Sequence, residues 1–137
     1  LILSSFILIH YFLYKGRQFS IDNSKQIGTL GDFDENNDLI LIDGRMPERF
    51  LMGIAIHEVE ERKWIRHGYS LRQAHLKAQK KELQFYTELC GSAERGMERL
   101  ADEERWSLRL FIGDSQKQLI ELEHGAKEFV RTIEADV

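Results

Sequence analysis

The stretch LILIDGRMPERFLMGIAIHEVEERKW, residues 39–64, contains the change from strand to helix that decides the fold. Its first four residues form an apolar run bounded by acids, which is typical of a strand covered on both faces or lying over a cleft. Pro47 suits the first position of a helix, where its missing N–H leaves no hydrogen bond unmade. The chain therefore divides near Pro47 into a β-rich part, residues 1–46, and a helical part, residues 47–137.

The β-rich part is expected to form a small antiparallel sheet. Residues 1–14 are nearly all apolar and rich in Ile, Phe and Tyr, which favours a buried strand. Strands at about 26–33 and 38–43 flank a polar turn, which predicts a hairpin. Fourteen residues are too few to cross a bilayer of about 30 Å as a helix, so a membrane segment is expected only if residues before Leu1 extend the run.

The helical part is expected to form about four helices. Gly68 and Gly91 supply left-handed stops, and Ser70 with Gln73 forms a capping box at the start of the second helix. The expected ranges are about 47–67, 71–89 and 93–112, with a fourth helix from position 114 or 115. The fold class is therefore α+β, in a single domain of residues 1–137.

Composition excludes several classes of protein. The chain has 137 residues, of which 42% are hydrophobic and 31% charged, as in globular proteins and unlike disordered or collagen-like chains. The net charge is −4 and no basic block alternates with aromatic residues, so nucleic acid is not the expected partner. The single cysteine, Cys90, cannot form an internal disulfide, which favours a reducing compartment and a cytoplasmic location.

Two polar side chains lie on the apolar stripe of the first helix. The stripe runs through Phe50 and Ile54, and the same spacing of three or four residues reaches His57, Glu61 and Trp64. Burial of His57 and Glu61 is costly unless a partner satisfies them, and a divalent cation does so directly. Residues four apart project side by side, about 6 Å apart along the helix axis. Helical zinc motifs use this spacing.

The second helix supplies a third candidate ligand. His75 lies on its inner stripe beside the small residues Ala74 and Ala78. A short connection makes the two helices antiparallel neighbours, which places His75 opposite His57 and Glu61. Two histidines and one carboxylate form a catalytic zinc set with an open position, and their donor atoms should lie about 3–4 Å apart.

The strand region 31–43, followed by AIHEVEE at residues 55–61, resembles the core of gluzincin-type zinc metallopeptidases. In that family an edge strand precedes a helix that carries His-Glu-x-x-His, in which the histidines bind zinc and the glutamate is the general base. The resemblance implies that His57 is a ligand and Glu58 the base, with Glu61 at the position of the second histidine. The segment from Gly68 to His75, Gly-Tyr-Ser-x-x-x-Ala-His, is also similar to small proteins of phage and mobile elements that carry His-Glu-x-x-Glu.

This resemblance implies a zinc-dependent, peptidase-like hydrolase that acts on a peptide or protein substrate. Zinc held by His57, Glu61 and His75 would polarise a bound water, and Glu58 would take its proton as the water attacks a carbonyl. An extended substrate is expected to add to strand 38–43 by main-chain hydrogen bonds. Three side chains are candidates for the donor that stabilises the transition state: His67, Tyr69 and Tyr86.

The alternative to an enzyme is a non-catalytic helical interaction protein whose metal site is degenerate or only structural. His57 and Glu61 would then pair with arginines on a solvated helix face, for which Arg62, Arg66 and Arg72 are candidates. A site closed by four side chains would also favour this alternative, because catalysis needs an open position.

The remaining charged residues have simpler expected roles. Glu82 lies about 10 Å beyond His75 by helical rise, so we expect it in an ion pair or outside the set of ligands. Glu60 is expected to be surface charge. Glu121 and His124 have the spacing of di-metal carboxylate bundles, but such sites need a second copy of the motif, which the sequence lacks.

Overall fold

In the part of the chain that the structure describes, the fold is α+β, with an N-terminal sheet followed by three helices. The computed structural model describes residues 9–112 together with Glu128, Val130 and Arg131. The fourth predicted helix, from position 114 or 115, falls almost entirely outside these residues, so the described part contains three helices and not about four. The elements are β1 Ile9–Tyr14, β2 Arg17–Asp22, β3 Gly31–Asp34, β4 Leu39–Ile42, α1 Leu51–Arg66, α2 Leu71–Cys90 and α3 Ala93–Ile112, with 3-10 turns at Glu35–Asn37 and Glu48–Phe50.

The sheet is mixed, and the expectation of an antiparallel sheet was therefore wrong. Its strand order is β1-β2-β4-β3. The β1–β2 and β3–β4 pairs are antiparallel, whereas β2 and β4 are parallel. The chain reverses direction twice between β2 and β4, so these two neighbours point the same way. The apolar run of β4 takes an interior position, and Ile40 and Ile42 are fully buried.

Strand β1 confirms the strand expected in the first apolar run, but only over Ile9–Tyr14. Residues 1–8 lie outside the described part of the chain. Phe12 is buried, whereas Tyr11 and Leu13 are 69% and 72% exposed, so one face of the strand is covered and the other is open. The Lys15–Gly16 turn to β2 has positive φ at both residues, as a two-residue hairpin with right-handed twist requires.

Helix α1 packs on the β3–β4 hairpin, as the sequence predicted. Ile54 from the helix and Ile40 and Ile42 from β4 belong to the same buried core. The α-helix begins at Leu51, four residues later than expected, because Pro47 is extended with ψ 146° and starts a 3-10 turn instead.

Helices α2 and α3 have nearly the predicted bounds. The capping box of Ser70 and Gln73 is present, and Gly91 ends α2 in the left-handed conformation. The Ser92 hydroxyl accepts a hydrogen bond from the Arg95 N–H at the start of α3. No helix of the described residues is long and apolar enough to cross a membrane.

Candidate metal centre

Helix α1 places His57 and Glu61 side by side on its inner face. The His57 side chain is buried, with 8% of the residue exposed. Its Nε2 atom lies 3.0 Å from Glu61 Oε2, one helical turn away. The sequence spacing alone accounts for this pair, since residues four apart lie on the same face of a helix.

Helix α2 brings His75 to the same point. His75 Nδ1 lies 2.8 Å from Glu61 Oε2 and 3.2 Å from His57 Nε2. The ligating atoms of these three residues all lie within 4.8 Å of one another. Ala74 and Ala78, which neighbour His75 in α2, are both fully buried. The two helices are antiparallel, because residues later in α1 contact residues earlier in α2.

The charge of this cluster suits a cation. Hydrogen bonds from His57 and His75 lower the pKa of Glu61 to about 2, so its carboxylate is ionised near neutral pH. Two imidazole nitrogens and one carboxylate oxygen are donors that zinc prefers, and three protein ligands leave a coordination position open. The His57–Glu61–His75 cluster therefore fits a divalent ion by donor type, spacing and charge.

Glu82 contacts the ring nitrogen of His57 that does not face Glu61. Its Oε1 atom lies 3.0 Å from His57 Nδ1, and the Glu82 side chain is only 3% exposed. An oxygen that accepts from Nδ1–H leaves the lone pair of Nε2 directed toward Glu61 and His75. Glu82 thus lies outside the converging donors, as one of the two expectations had it, and contacts His57 through a hydrogen bond.

Glu58 lies against the first residue of β3. A Cβ atom at Gly31 would be 2.9 Å from Glu58 Oε1, so only a glycine leaves this space for the carboxyl group. Burial raises the pKa of Glu58, and the positive charge of His57 opposes that rise. The pKa of Glu58 is therefore closer to neutral pH than the pKa of an exposed glutamate.

A cavity of about 410 Å³ joins Glu58 to the three candidate ligands. Its strand border is the start of β3 and not strand 38–43, because β4 lies in the interior of the sheet. The expected site of substrate addition at strand 38–43 was therefore wrong. Residues from the segment before β3 and from all three helices line the cavity: Thr29, Leu30, Gly31, Asp32, Ile54, His57, Glu58, Glu61, Arg62, His75, Gln79, Glu82, Leu100, Glu103, Glu104 and Ser107.

Helix α3 contributes two acids that the sequence analysis missed. Glu103 is 4% exposed and accepts a 2.6 Å hydrogen bond from the Tyr86 hydroxyl. Burial, and then the neighbouring Glu82, raise the pKa of Glu103 well above its ordinary value. Burial also raises the pKa of Glu104. Glu103 follows Leu100 at helical spacing on the inner face of α3, which is the same signal that identified His57 and Glu61.

None of the three candidate transition-state donors lines this cavity. Tyr86 is fully buried and its hydroxyl is bonded to Glu103. Tyr69 packs edge-on against Trp64. His67 Nδ1 lies 2.7 Å from the Lys63 carbonyl at the end of α1.

The solvated-face alternative fails for His57, which is buried against α2. Two of the arginines proposed as its partners, Arg62 and Arg66, bond instead to Glu35 in the 3-10 turn after β3. The Glu121 and His124 pair lies outside the described residues.

Comparison with protein-family models, with curated proteins and with solved structures finds no match to this chain.

Proposed function

We propose that the protein is a zinc-dependent, peptidase-like hydrolase with His57, Glu61 and His75 as ligands and Glu58 as general base. One observation carries the proposal: three donor atoms from two helices converge within 4.8 Å, at a cavity that Glu58 also lines. His57 is buried, Glu61 is half-buried and the His75 side chain is 47% exposed, so the point where the donors meet is open to solvent on the α2 side.

The role of zinc follows from its donor set. When bound, a zinc ion with three protein ligands lowers the pKa of a bound water to about 7 and polarises a carbonyl. The protein's own part is to fix the ligand geometry, and the Glu82–His57 hydrogen bond does this for the ligand on α1.

Glu58 supplies the acid–base chemistry. It is not one of the converging donors, yet it lines the same cavity. Its burial-raised pKa improves it as a base near neutral pH, because proton transfer is most efficient when the pKa approaches the working pH. Glu58 accepts the proton of the attacking water and then gives it to the leaving amine.

The substrate we propose is an extended peptide beside β3. Strand β3 pairs with β4 on one side and lies at the edge of the described sheet. Its first residues, Gly31 and Asp32, line the cavity. A peptide that adds to this edge by main-chain hydrogen bonds would bring a carbonyl group past Glu58. A cytoplasmic location, expected from the single free cysteine, is part of the same proposal.

One observation favours the non-catalytic alternative with a structural metal site. Glu104 lines the same cavity, and His75 and His57 are the positive charges that oppose the rise of its pKa. If its carboxylate were a fourth ligand, the site would be closed and would hold metal without catalysing hydrolysis.

Metal analysis and three variants separate these possibilities. Purified protein should carry about one zinc ion per chain after dialysis, and Glu61→Ala should lose it. Glu58→Gln should keep the zinc and the melting temperature but lower the hydrolysis of a labelled peptide library at least about 100-fold. Glu104→Gln should keep both zinc and hydrolysis; if it loses zinc instead, the structural alternative is correct.

Two results would contradict the proposal. Protein that carries no zinc, and whose melting temperature does not rise when zinc is added, has no site of this kind. Equal zinc loss in Glu58→Gln and Glu61→Ala would make Glu58 a ligand and would exclude it as the base.

A further inference from the structure

Gln79 lies one turn beyond His75 in α2 and is 4% exposed. Its side-chain nitrogen Nε2 lies 2.9 Å from His75 Nε2, on the side of the ring away from Glu61. Its buried oxygen Oε1 has no hydrogen-bond partner in the described part of the chain. A buried amide oxygen without a partner is unfavourable because it has lost its hydrogen bonds to water, so this arrangement needs a reason.

The chemistry of the two nitrogens determines where the His75 proton lies. An amide nitrogen only donates, so the contact with Gln79 requires a bare Nε2 on the His75 ring. A neutral ring then carries its proton on Nδ1, where Glu61 Oε2 accepts it over 2.8 Å. Zinc needs the lone pair of that same Nδ1. A His75 ring that gives Nδ1 to zinc has its proton on Nε2, and that N–H needs an acceptor where the Gln79 nitrogen now lies.

We infer that Gln79 is a positioning residue whose amide turns by 180° when His75 binds metal. This inference rests on the proposed function, since it takes His75 as a ligand. The turn exchanges Oε1 and Nε2, which occupy nearly the same volume, so the packing between the helices is preserved. Oε1 then accepts from His75 Nε2–H, and Nδ1 presents its lone pair to the ion.

The two histidines thus differ in the side chain that bonds the ring nitrogen facing away from the metal position. Glu82 faces His57 with a carboxyl oxygen, which can accept from His57 Nδ1–H when Nε2 binds metal. Gln79 can donate or accept, so it serves either neutral form of His75. A glutamine suits this position better than a glutamate. A glutamate could only accept from His75, so it would draw the ring proton to Nε2 and break the Nδ1–H hydrogen bond to Glu61 in the metal-free protein.

Two substitutions of Gln79 test this role. Gln79→Glu supplies only acceptors, whereas Gln79→Leu supplies neither donor nor acceptor at a similar size. In nitrogen NMR spectra of the metal-free protein, recorded where the ring is neutral, His75 should carry its proton on Nδ1 in the wild type. In Gln79→Glu the proton should move to Nε2. Zinc affinity, measured by competition with a fluorescent chelator, should fall about 10–100-fold in Gln79→Leu and stay within about threefold of the wild type in Gln79→Glu.

Gln84→Leu is the matched control, because Gln84 is an exposed glutamine of the same helix that bonds Glu88 away from the cavity. It should leave both measurements unchanged. The inference is overturned if Gln79→Leu binds zinc as tightly as the wild type, if Gln79→Glu weakens binding as much as Gln79→Leu, or if metal-free wild type already carries the His75 proton on Nε2. A wild type that takes up no zinc would instead refute the proposed function, and the NMR spectra would still decide whether Gln79 sets the position of the proton.

Discussion

Gly31 shows how a single missing side chain makes room for the carboxyl group that we propose as the general base. A Cβ atom there would lie 2.9 Å from Glu58 Oε1 and 3.2 Å from Glu58 Cδ. The atoms it would meet are the end of a flexible side chain, not backbone. An added methyl group would therefore move the carboxyl group and leave the strand in place.

Gly31→Ala should consequently separate catalysis from metal binding. We expect hydrolysis to fall at least about tenfold, because small displacements of a reacting group are costly in rate. Zinc affinity should not change, since the three atoms nearest the added Cβ all belong to Glu58 and none to a proposed ligand. Peptide hydrolysis and chelator competition measure the two effects. Unchanged hydrolysis would show that the position of Glu58 does not matter.

At the scale of elements, close helix contact brings α3 to the site. A Cβ atom at Gly96 would lie 2.6 Å from the Thr87 backbone nitrogen and 2.7 Å from its Cα. Backbone atoms of α2 cannot yield as a side chain can. The close approach at Gly96 lets Glu103 reach the Tyr86 hydroxyl two turns later along α3.

Gly96→Ala should destabilise the protein although alanine is the better helix former. The gain in helix propensity is at most about 1 kcal/mol, whereas the forced separation of two packed helices costs about 1–3 kcal/mol. Urea denaturation should therefore show a lower midpoint. Glu98→Ala, an exposed change in the same helix, should alter stability by less than about 0.5 kcal/mol. A midpoint for Gly96→Ala at or above that of the wild type would refute the close contact.

The whole molecule gathers buried acids from three helices around one cavity. Burial raises the pKa of Glu58, Glu103 and Glu104, and it raises that of Glu82 to about 8. In the unfolded chain these carboxyls ionise near their ordinary value of 4.5. Between pH 4.5 and these raised pKa values the folded protein holds more protons than the unfolded chain, so the free energy of unfolding falls as the pH rises.

Metal-free protein should therefore melt at a lower temperature at pH 8 than at pH 5, by about 5 °C or more. Glu61 acts in the opposite sense, but its pKa of about 2 confines its loss of stabilisation to pH values below about 4.5. Calorimetry in the presence of a chelator measures the effect. Glu82→Gln should flatten the slope, because it removes one raised carboxyl. A melting temperature that rises from pH 5 to pH 8 would contradict this prediction.

The sequence by itself determined most helix boundaries and the three converging residues. Capping residues and glycine stops act within a few residues, so α2 and α3 have almost the predicted ranges. The short connection between α1 and α2 leaves little choice but antiparallel packing. Helical spacing then sets His57, Glu61 and His75 on facing stripes, and their donor atoms meet as expected.

The tertiary structure alone decided which strand borders the cavity and which other acids are buried. Glu60, expected as surface charge, is fully buried because the β1–β2 turn carries Lys15 to it, and Tyr14 and Lys15 each donate to its Oε2 over 2.8 Å. Strand order, the edge position of β3 and the approach of α3 depend on contacts between residues far apart in the chain. Local periodicity gives the face that a residue occupies, but the partner of that face is set by the packing of the whole chain.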